Sequence, residues 1–306
     1  MRRREFLSNA SGLSLGLLAG TAIGETPASM LQRAAPRAGI TLPAIGMGTW
    51  RTFDVPPNDP SISNLREVLS RFCAAGGQVV DTSPMYGRAE AMLGSLARQL
   101  ALADQLFFAT KVWTEGREAG RRQMDTSAKL LHRQVIDLMQ VHNLLDLQTQ
   151  LAELRQRQEQ GRIRFSGITH YQAGAHADLV RVLRSEPLDF VQVNYSVRHR
   201  EAETTVFPVA QELGVAVIVN RPFDGGALFR AVGERPLPAW AAEYGAQSWS
   251  ELALKFVLGH EAVTVAIPAT SNPDHMTENL RAGTGEPVTG QRREQLAQRL
   301  IEALES

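Results

Sequence analysis

The feature that most constrains this chain is a rhythm. From residue 43 to the C-terminal end, eight short apolar runs alternate with stretches of helical periodicity. The runs are PAIGMGTW (43–50), GQVVDT (77–82), LFFATKV (106–112), VIDLMQVHN (135–143), IRFSGIT (163–169), LDFVQVNY (188–195), VAVIVNRP (215–222) and AVTVAIP (262–268). Between them, segments such as SNLREVLSRFCAAGG and LQTQLAELRQRQEQG set apolar residues three and four apart and stop at Gly, as helices do. Several runs are rich in β-branched residues without strict alternation, which is the pattern of strands covered on both faces. Eight strand–helix units predict an α/β fold of the closed kind, a (β/α)8 or TIM barrel, which typically takes ~250 residues. An open doubly wound sheet competes, but its G-x-G-x-x-G turn is missing. GMGTW at 46–50 opens no helix and brings no third Gly. The last stretch, GQRREQLAQRLIEALES, reads as a charged amphipathic helix that closes one side of the barrel.

In such a barrel, chemistry gathers at the carboxyl ends of the strands. Asp81 ends the second run, Lys111 the third and His142 the fourth, and Tyr86 lies in the turn just past Asp81. Adjacent parallel strands stand ~4.8 Å apart, so successive ends can converge on one pocket. A free phenol has a pKa of ~10, too high to trade protons easily at neutral pH, and a nearby cation favours phenolate and lowers it. Lys111 can be that cation, Asp81 can hold it charged and in place, and His142 can donate a hydrogen bond to a substrate oxygen. A tuned proton donor beside a polarising group suits a carbonyl about to become an alcohol. Singly, each residue has an ordinary reading: an ion pair without a task, a tyrosine packed in a loop, a histidine at a strand end. The occurrence of all four at consecutive strand ends is what points to a site.

These residues also carry a resemblance. DTSPMYGRAEAMLG (81–94) resembles the D-T-A-x-x-Y-G-x-S-E-x-x-L-G segment of the aldo-keto reductase superfamily. ATKV (109–112) resembles its lysine strand, DLMQVHN (137–143) its histidine strand, and GMGTW its first strand. The resemblance covers nearly the whole chain after the N-terminal segment. It implies reversible carbonyl reduction with a nicotinamide cofactor lying across the barrel mouth, usually NADP(H), with Tyr86 as proton donor, Lys111 and Asp81 tuning it, and His142 orienting the carbonyl. It implies Gly48 and Thr49 beside the cofactor. GITHY (167–171) resembles G-x-S-N-[FY], so Thr169 and His170 stand for the Ser-Asn pair that holds the carboxamide. Gln192 matches a glutamine expected to touch the same group. VNRPFDGG (219–226) departs from the family pattern, with Asn220 where a ring-stacking aromatic usually sits and Arg221 next to it; a guanidinium plane can stack in its place. IPATSNPDHMTENL (267–280) resembles the family's phosphate loop through Pro268, Thr270, Ser271, Glu278 and Asn279. There Ala269 replaces a lysine and His275 an arginine, two cations that favour the 2′-phosphate of NADPH through charge-assisted bonds. NADP is therefore the first expectation and NAD the second. No metal ligand set is expected.

The N-terminus reads differently. Residues 1–24 hold three arginines and one acid, then a small-residue apolar stretch too short for a bilayer crossing, which needs ~20 residues. RREFL at 3–7 resembles a twin-arginine export signal, which implies a periplasmic or otherwise exported protein without a stable membrane span once the signal is removed. Residues 25–37 read as a linker, and 38–306 as the barrel. Removing residues 1–24 leaves 29 basic and 31 acidic residues, a balance that argues against a nucleic-acid partner. A single cysteine, Cys73, builds neither a disulfide framework nor a cysteine zinc site, and reads as a small core residue on a helix. Trp50, Trp113 and the 222–240 segment are candidates to shape the substrate pocket. The sequence supports three readings: a reductase of small aldehydes or ketones, an alcohol or sugar dehydrogenase using the same site in reverse, and a cofactor-binding accessory or sensor module. It is silent on oligomeric state.

Overall fold

A computed structural model describes residues 29–305; the expected signal at 1–24 lies outside them. Each of the eight apolar runs contains a strand: β3 (Met47–Gly48), β4 (Val79–Asp81), β5 (Phe107–Val112), β6 (Ile136–His142), β7 (Ile163–His170), β8 (Phe190–Asn194), β9 (Ala216–Asn220) and β10 (Val263–Ala266). They form one parallel sheet in sequence order from β3 to β10. The edges then meet. Ile45 pairs with Ala266 and Gly48 with Ala269, with Gly46 N–H donating to Ala266 O at 2.8 Å and Gly48 N–H to Pro268 O at 3.0 Å. The sheet is a closed (β/α)8 barrel. Its seam is tight: a Cβ on Gly48 would sit 2.9 Å from the Ile267 carbonyl oxygen.

The helices of the outer ring are α1 (Ile62–Ala74), α2 (Ala89–Gln99), α3 (Arg117–Leu130), α4 (Leu147–Glu159), α5 (His176–Ser185), α6 (Val206–Leu213) and α8 (Trp249–Leu258). Helix α7 (Ala227–Val232) is an extra turn in the loop after β9, α9 (Pro273–Ala282) follows β10, and α10 (Gly290–Glu305) lies along α7 and α8, as the amphipathic pattern predicts. Cys73 is on α1, half-buried against the core. No helix of the described residues is long and apolar enough to cross a membrane.

Strand side chains alternate between the helix-covered face and the barrel interior. The interior column of each strand is apolar at its lower end: Val79, Phe107, Ala109, Leu138, Phe190, Ala216, Ile218 and Val265 form one buried cluster. Phe107, Phe165 and Phe190 meet there with ring centroids 5.8–6.1 Å apart. Two residues further up, the same columns turn polar: Asp81, Lys111, Gln140 and His142, Thr169, Gln192, Asn220. The switch puts an apolar floor beneath a polar mouth.

One expectation fails. The segment read as a linker, 25–37, contains strand β1 (Gln32–Ala35), which pairs antiparallel with β2 (Ile40–Pro43). The hairpin turns at Gly39, whose φ of 66° suits glycine. Ala35 and Leu42 join the interior cluster, so the hairpin plugs the lower end of the barrel. Arg33 fastens it by donating to Leu258 O at 2.9 Å.

Candidate active site

Asp81 and Lys111 stand on adjacent strands, both pointing inward and both nearly excluded from water. Lys111 Nζ donates to Asp81 Oδ2 and to Thr82 O, each at 2.7 Å. The other carboxylate oxygen, Oδ1, accepts from Gln192 Nε2 at 2.7 Å and from Gln140 Nε2 at 3.3 Å. Asp81 is thereby held from two sides. Burial works against the ammonium, but Asp81 and the Tyr86 oxygen outweigh it and hold the Lys111 pKa above its ordinary value.

Tyr86 folds back from the turn after β4 so that Lys111 Nζ lies 5.1 Å from its ring centroid. Burial raises the phenol's pKa more than Lys111 lowers it. That reverses the lowering expected from a neighbouring cation alone: desolvation is the larger effect here, and the phenol stays protonated at neutral pH.

His142 meets Tyr86 edge-to-face at 6.1 Å between centroids. Burial, then the Lys111 charge, lowers its pKa to about 3, so the ring is neutral. Its Nδ1 lies 3.2 Å from Ser83 Oγ. That oxygen already accepts the Met85 N–H at 3.4 Å. Where the Ser83 hydroxyl donates to Nδ1, the neutral ring carries its proton on Nε2 as a donor. The four sequence-picked residues are thus brought together.

Asp81, Tyr86 and His142 line one cavity of about 590 Å³ at the upper end of the barrel. Of the residues expected around a cofactor, Gly48, Thr169, Gln192, Asn220, Arg221, Ala269, Thr270, Ser271 and His275 are also in its wall. Thr169 Oγ1 donates to Gln192 Oε1 at 3.0 Å, and Asn220 Nδ2 reaches the same oxygen at 3.4 Å.

The others stand back from it. Thr49 is buried, with its hydroxyl donating to Asp81 O at 2.9 Å. Pro268 offers its carbonyl to Gly48 N–H at the seam. Glu278 accepts from Ser250 Oγ at 2.8 Å, and Asn279 is buried on α9. His170 turns outward, stacks on Tyr171 at 5.6 Å and accepts the Gln172 N–H at 3.1 Å. Its remaining donor is Nε2–H, and the residue is not part of the cavity wall.

Trp50 lines the cavity and Trp113 leans over His142 at 6.4 Å. Sequence reasoning missed Ser83, Gln140, Asn143 and Tyr171, whereas Phe223 and Phe229 fall in the 222–240 segment expected to shape the pocket. Gln140 was visible in principle, two residues before His142 in the same inward column.

The sequence pattern of the aldo/keto reductase family matches residues 44–296. The chain belongs to the aldo/keto reductase family. Among curated aldo/keto reductases it is similar to Aldo-keto reductase YhdN of Bacillus subtilis (strain 168), 27% identical over 209 residues, which are 62% of this chain and 61% of that protein. It is also similar to human Aflatoxin B1 aldehyde reductase member 4, 26% identical over 277 residues, 82% of this chain and 80% of that one. The match to YhdN, and that to methylglyoxal reductase DkgA of Yersinia pestis at 65%, span less than two thirds of those proteins. Among solved structures, an aldo-keto reductase from Klebsiella pneumoniae in complex with NADPH superposes with a TM-score of 0.73 at 22% identity, over 90% of this chain and 95% of that one. The fold of this family member is thus the family's barrel.

Proposed function

We propose that this protein reduces the carbonyl group of a small aldehyde or ketone with NADP(H), using Tyr86 as the proton donor. The observation that carries the reading is the convergence of Tyr86, Asp81 and His142 on one cavity, with Lys111 buried behind them on Asp81. The family of the chain supports it, as does the NADPH bound by the K. pneumoniae neighbour.

The cavity wall suits a nicotinamide. Asn143 Oδ1 and Asn220 Oδ1 are buried acceptors without a partner, and both residues line the cavity. A carboxamide supplies the N–H donors they lack. Thr169, Gln192 and Asn220 would hold that amide, and the 269–271 loop with the N-terminus of α9 would take a phosphate. Bound there, the cofactor supplies a hydride to the carbonyl carbon. Tyr86 gives its proton to the carbonyl oxygen, and Lys111 stabilises the phenolate that remains. His142 holds the same oxygen through Nε2–H, and its neutrality keeps it a hydrogen-bond donor without competing for the proton. With Ala269 and His275 in the phosphate loop, NAD(H) is the cofactor to compare with NADP(H).

Tyr86→Phe is expected to keep cofactor affinity and to lose carbonyl reduction by several orders of magnitude. Nicotinamide absorbance across an aldehyde panel, with NADPH and NADH, reads both. Wild-type turnover in the Phe variant would remove Tyr86 from the chemistry. Tight cofactor binding by wild type without turnover of any aldehyde or alcohol would favour an accessory or sensor role instead.

A further inference from the structure

We propose that Arg221 anchors an anionic group on the carbonyl substrate, so that the preferred substrates are aldehydes or ketones bearing a carboxylate or sulfonate. This rests on the reductase reading and narrows it to a substrate class.

Arg221 follows β9 at the mouth, and forms part of the wall of both the main cavity and a neighbouring one of about 340 Å³. Its guanidinium carbon lies 4.4 Å from the Tyr171 ring centroid and 5.8 Å from that of Trp50. Ring contacts engage the faces of a guanidinium. Its N–H groups lie in the plane and stay available to a planar, two-oxygen anion. Among the described residues no carboxylate forms an ion pair with Arg221, unlike Arg164 with Asp137 or Arg281 with Glu251. The backbone is also held in an uncommon state: φ at Arg221 is 52°, a left-handed conformation that a side-chain-bearing residue rarely adopts. The Asp224 N–H donates to Arg221 O at 3.0 Å and closes that turn.

The Lys111 charge is matched by Asp81, and His142 is neutral. Arg51, 4.3 Å over the Trp50 ring, is a second cation of the wall without an ion pair among the described residues, so Arg51→Met is the control that must keep the anion preference. The Arg221 charge acts on the Tyr86 phenol across the cavity. The same wall carries the apolar side chains of Trp50, Phe223 and Phe229. A substrate with its carbonyl at Tyr86, an apolar body and an anion matches this set of groups. The same unpaired cation would also suit the diphosphate of a bound dinucleotide, so the test separates the two anions.

Tryptophan fluorescence of the full chain, in which Trp50 is a near reporter, is titrated with benzoate and with benzamide, with and without NADP+. Benzoate is expected to bind about tenfold more tightly than benzamide to wild type. Arg221→Met is expected to lose that preference and Arg221→Lys to keep part of it. In turnover, the ratio of kcat/KM for 4-carboxybenzaldehyde over benzaldehyde should fall from about ten toward one in Arg221→Met, through KM. Equal affinity of wild type for benzoate and benzamide overturns the proposal. So does an Arg221→Met variant that keeps the preference while NADP+ affinity drops, because that assigns the cation to the diphosphate. Benzoate preference without turnover of either aldehyde would reject the reductase reading and leave the anion site standing.

Discussion

Lys111 carries its charge with no side-chain surface in water, 2.7 Å from a carboxylate that is almost as hidden. A buried pair like this is costly to break from one side, because the remaining ion has neither water nor partner; the loss is ~3–5 kcal/mol. Asp81→Asn and Lys111→Met are each expected to destabilise by about that amount, and the double variant by clearly less than their sum, as urea unfolding of all four proteins would read. His142 gives a pH signature. Its folded pKa is about 3 and its ordinary value 6.5, with burial the main cause. The unfolded chain therefore binds a proton at pH 6.5 that the folded chain refuses until about pH 3, and this residue's contribution to stability drains away as pH falls through that window. Melting temperatures between pH 7 and 4 should fall less steeply in His142→Asn than in wild type. Much of the site was legible at this scale, because Asp81, Lys111 and His142 stand at or next to strand ends, where position selects them, and the family resemblance added Gln192 and Asn220. Ser83, Asn143 and Tyr171 were not, since their places depend on how loops bend; Asn143 itself sits at a φ of 53°, which no pattern of neighbours announces. The sign of the Tyr86 shift escaped too, because a sequence names the cation but does not weigh it against burial.

Among the elements, the eight strands were legible because each is a short apolar run punctuated by a helix pattern, and the barrel followed from their number. The β1–β2 hairpin was not. Gln32–Ala35 reads QRAA, with no β-branched residue and no alternation, and it becomes a strand by pairing with Ile40–Pro43 beneath the barrel. Tertiary pairing overrode a weak local preference there. The seam between β3 and β10 is the element-level weak point. Gly48 N–H must reach Pro268 O while its α-carbon passes the Ile267 carbonyl. Gly48→Ala has no flexible side chain to push aside, so it is expected to cost ~1–3 kcal/mol, the range for overpacking. That corresponds to a drop of several degrees in a thermal melt. An unchanged melting temperature would mean the seam can open by several tenths of an ångström without loss.

At the scale of the whole molecule, the chain joins a family barrel to an N-terminal segment whose RREFL motif (3–7) supports a proposal of export by a twin-arginine route. Replacing Arg3 and Arg4 together by Lys is expected to hold the protein back in the cytoplasmic fraction, read by cell fractionation; an unchanged distribution would sink the export reading. The exposed large apolar side chains Trp50, Met85, Trp113, Tyr171 and Phe229 sit around the upper mouth, and Leu130 is the other among the described residues. The hairpin seals the opposite end with Ala35 and Leu42 over a floor of three phenylalanines. The barrel is therefore a cul-de-sac, with traffic through a single doorway. Two guests that occupy it together queue in depth: the one that settles deeper must arrive first and leave last, so the tempo of departure through that doorway can limit the cycle even when bond-making is fast.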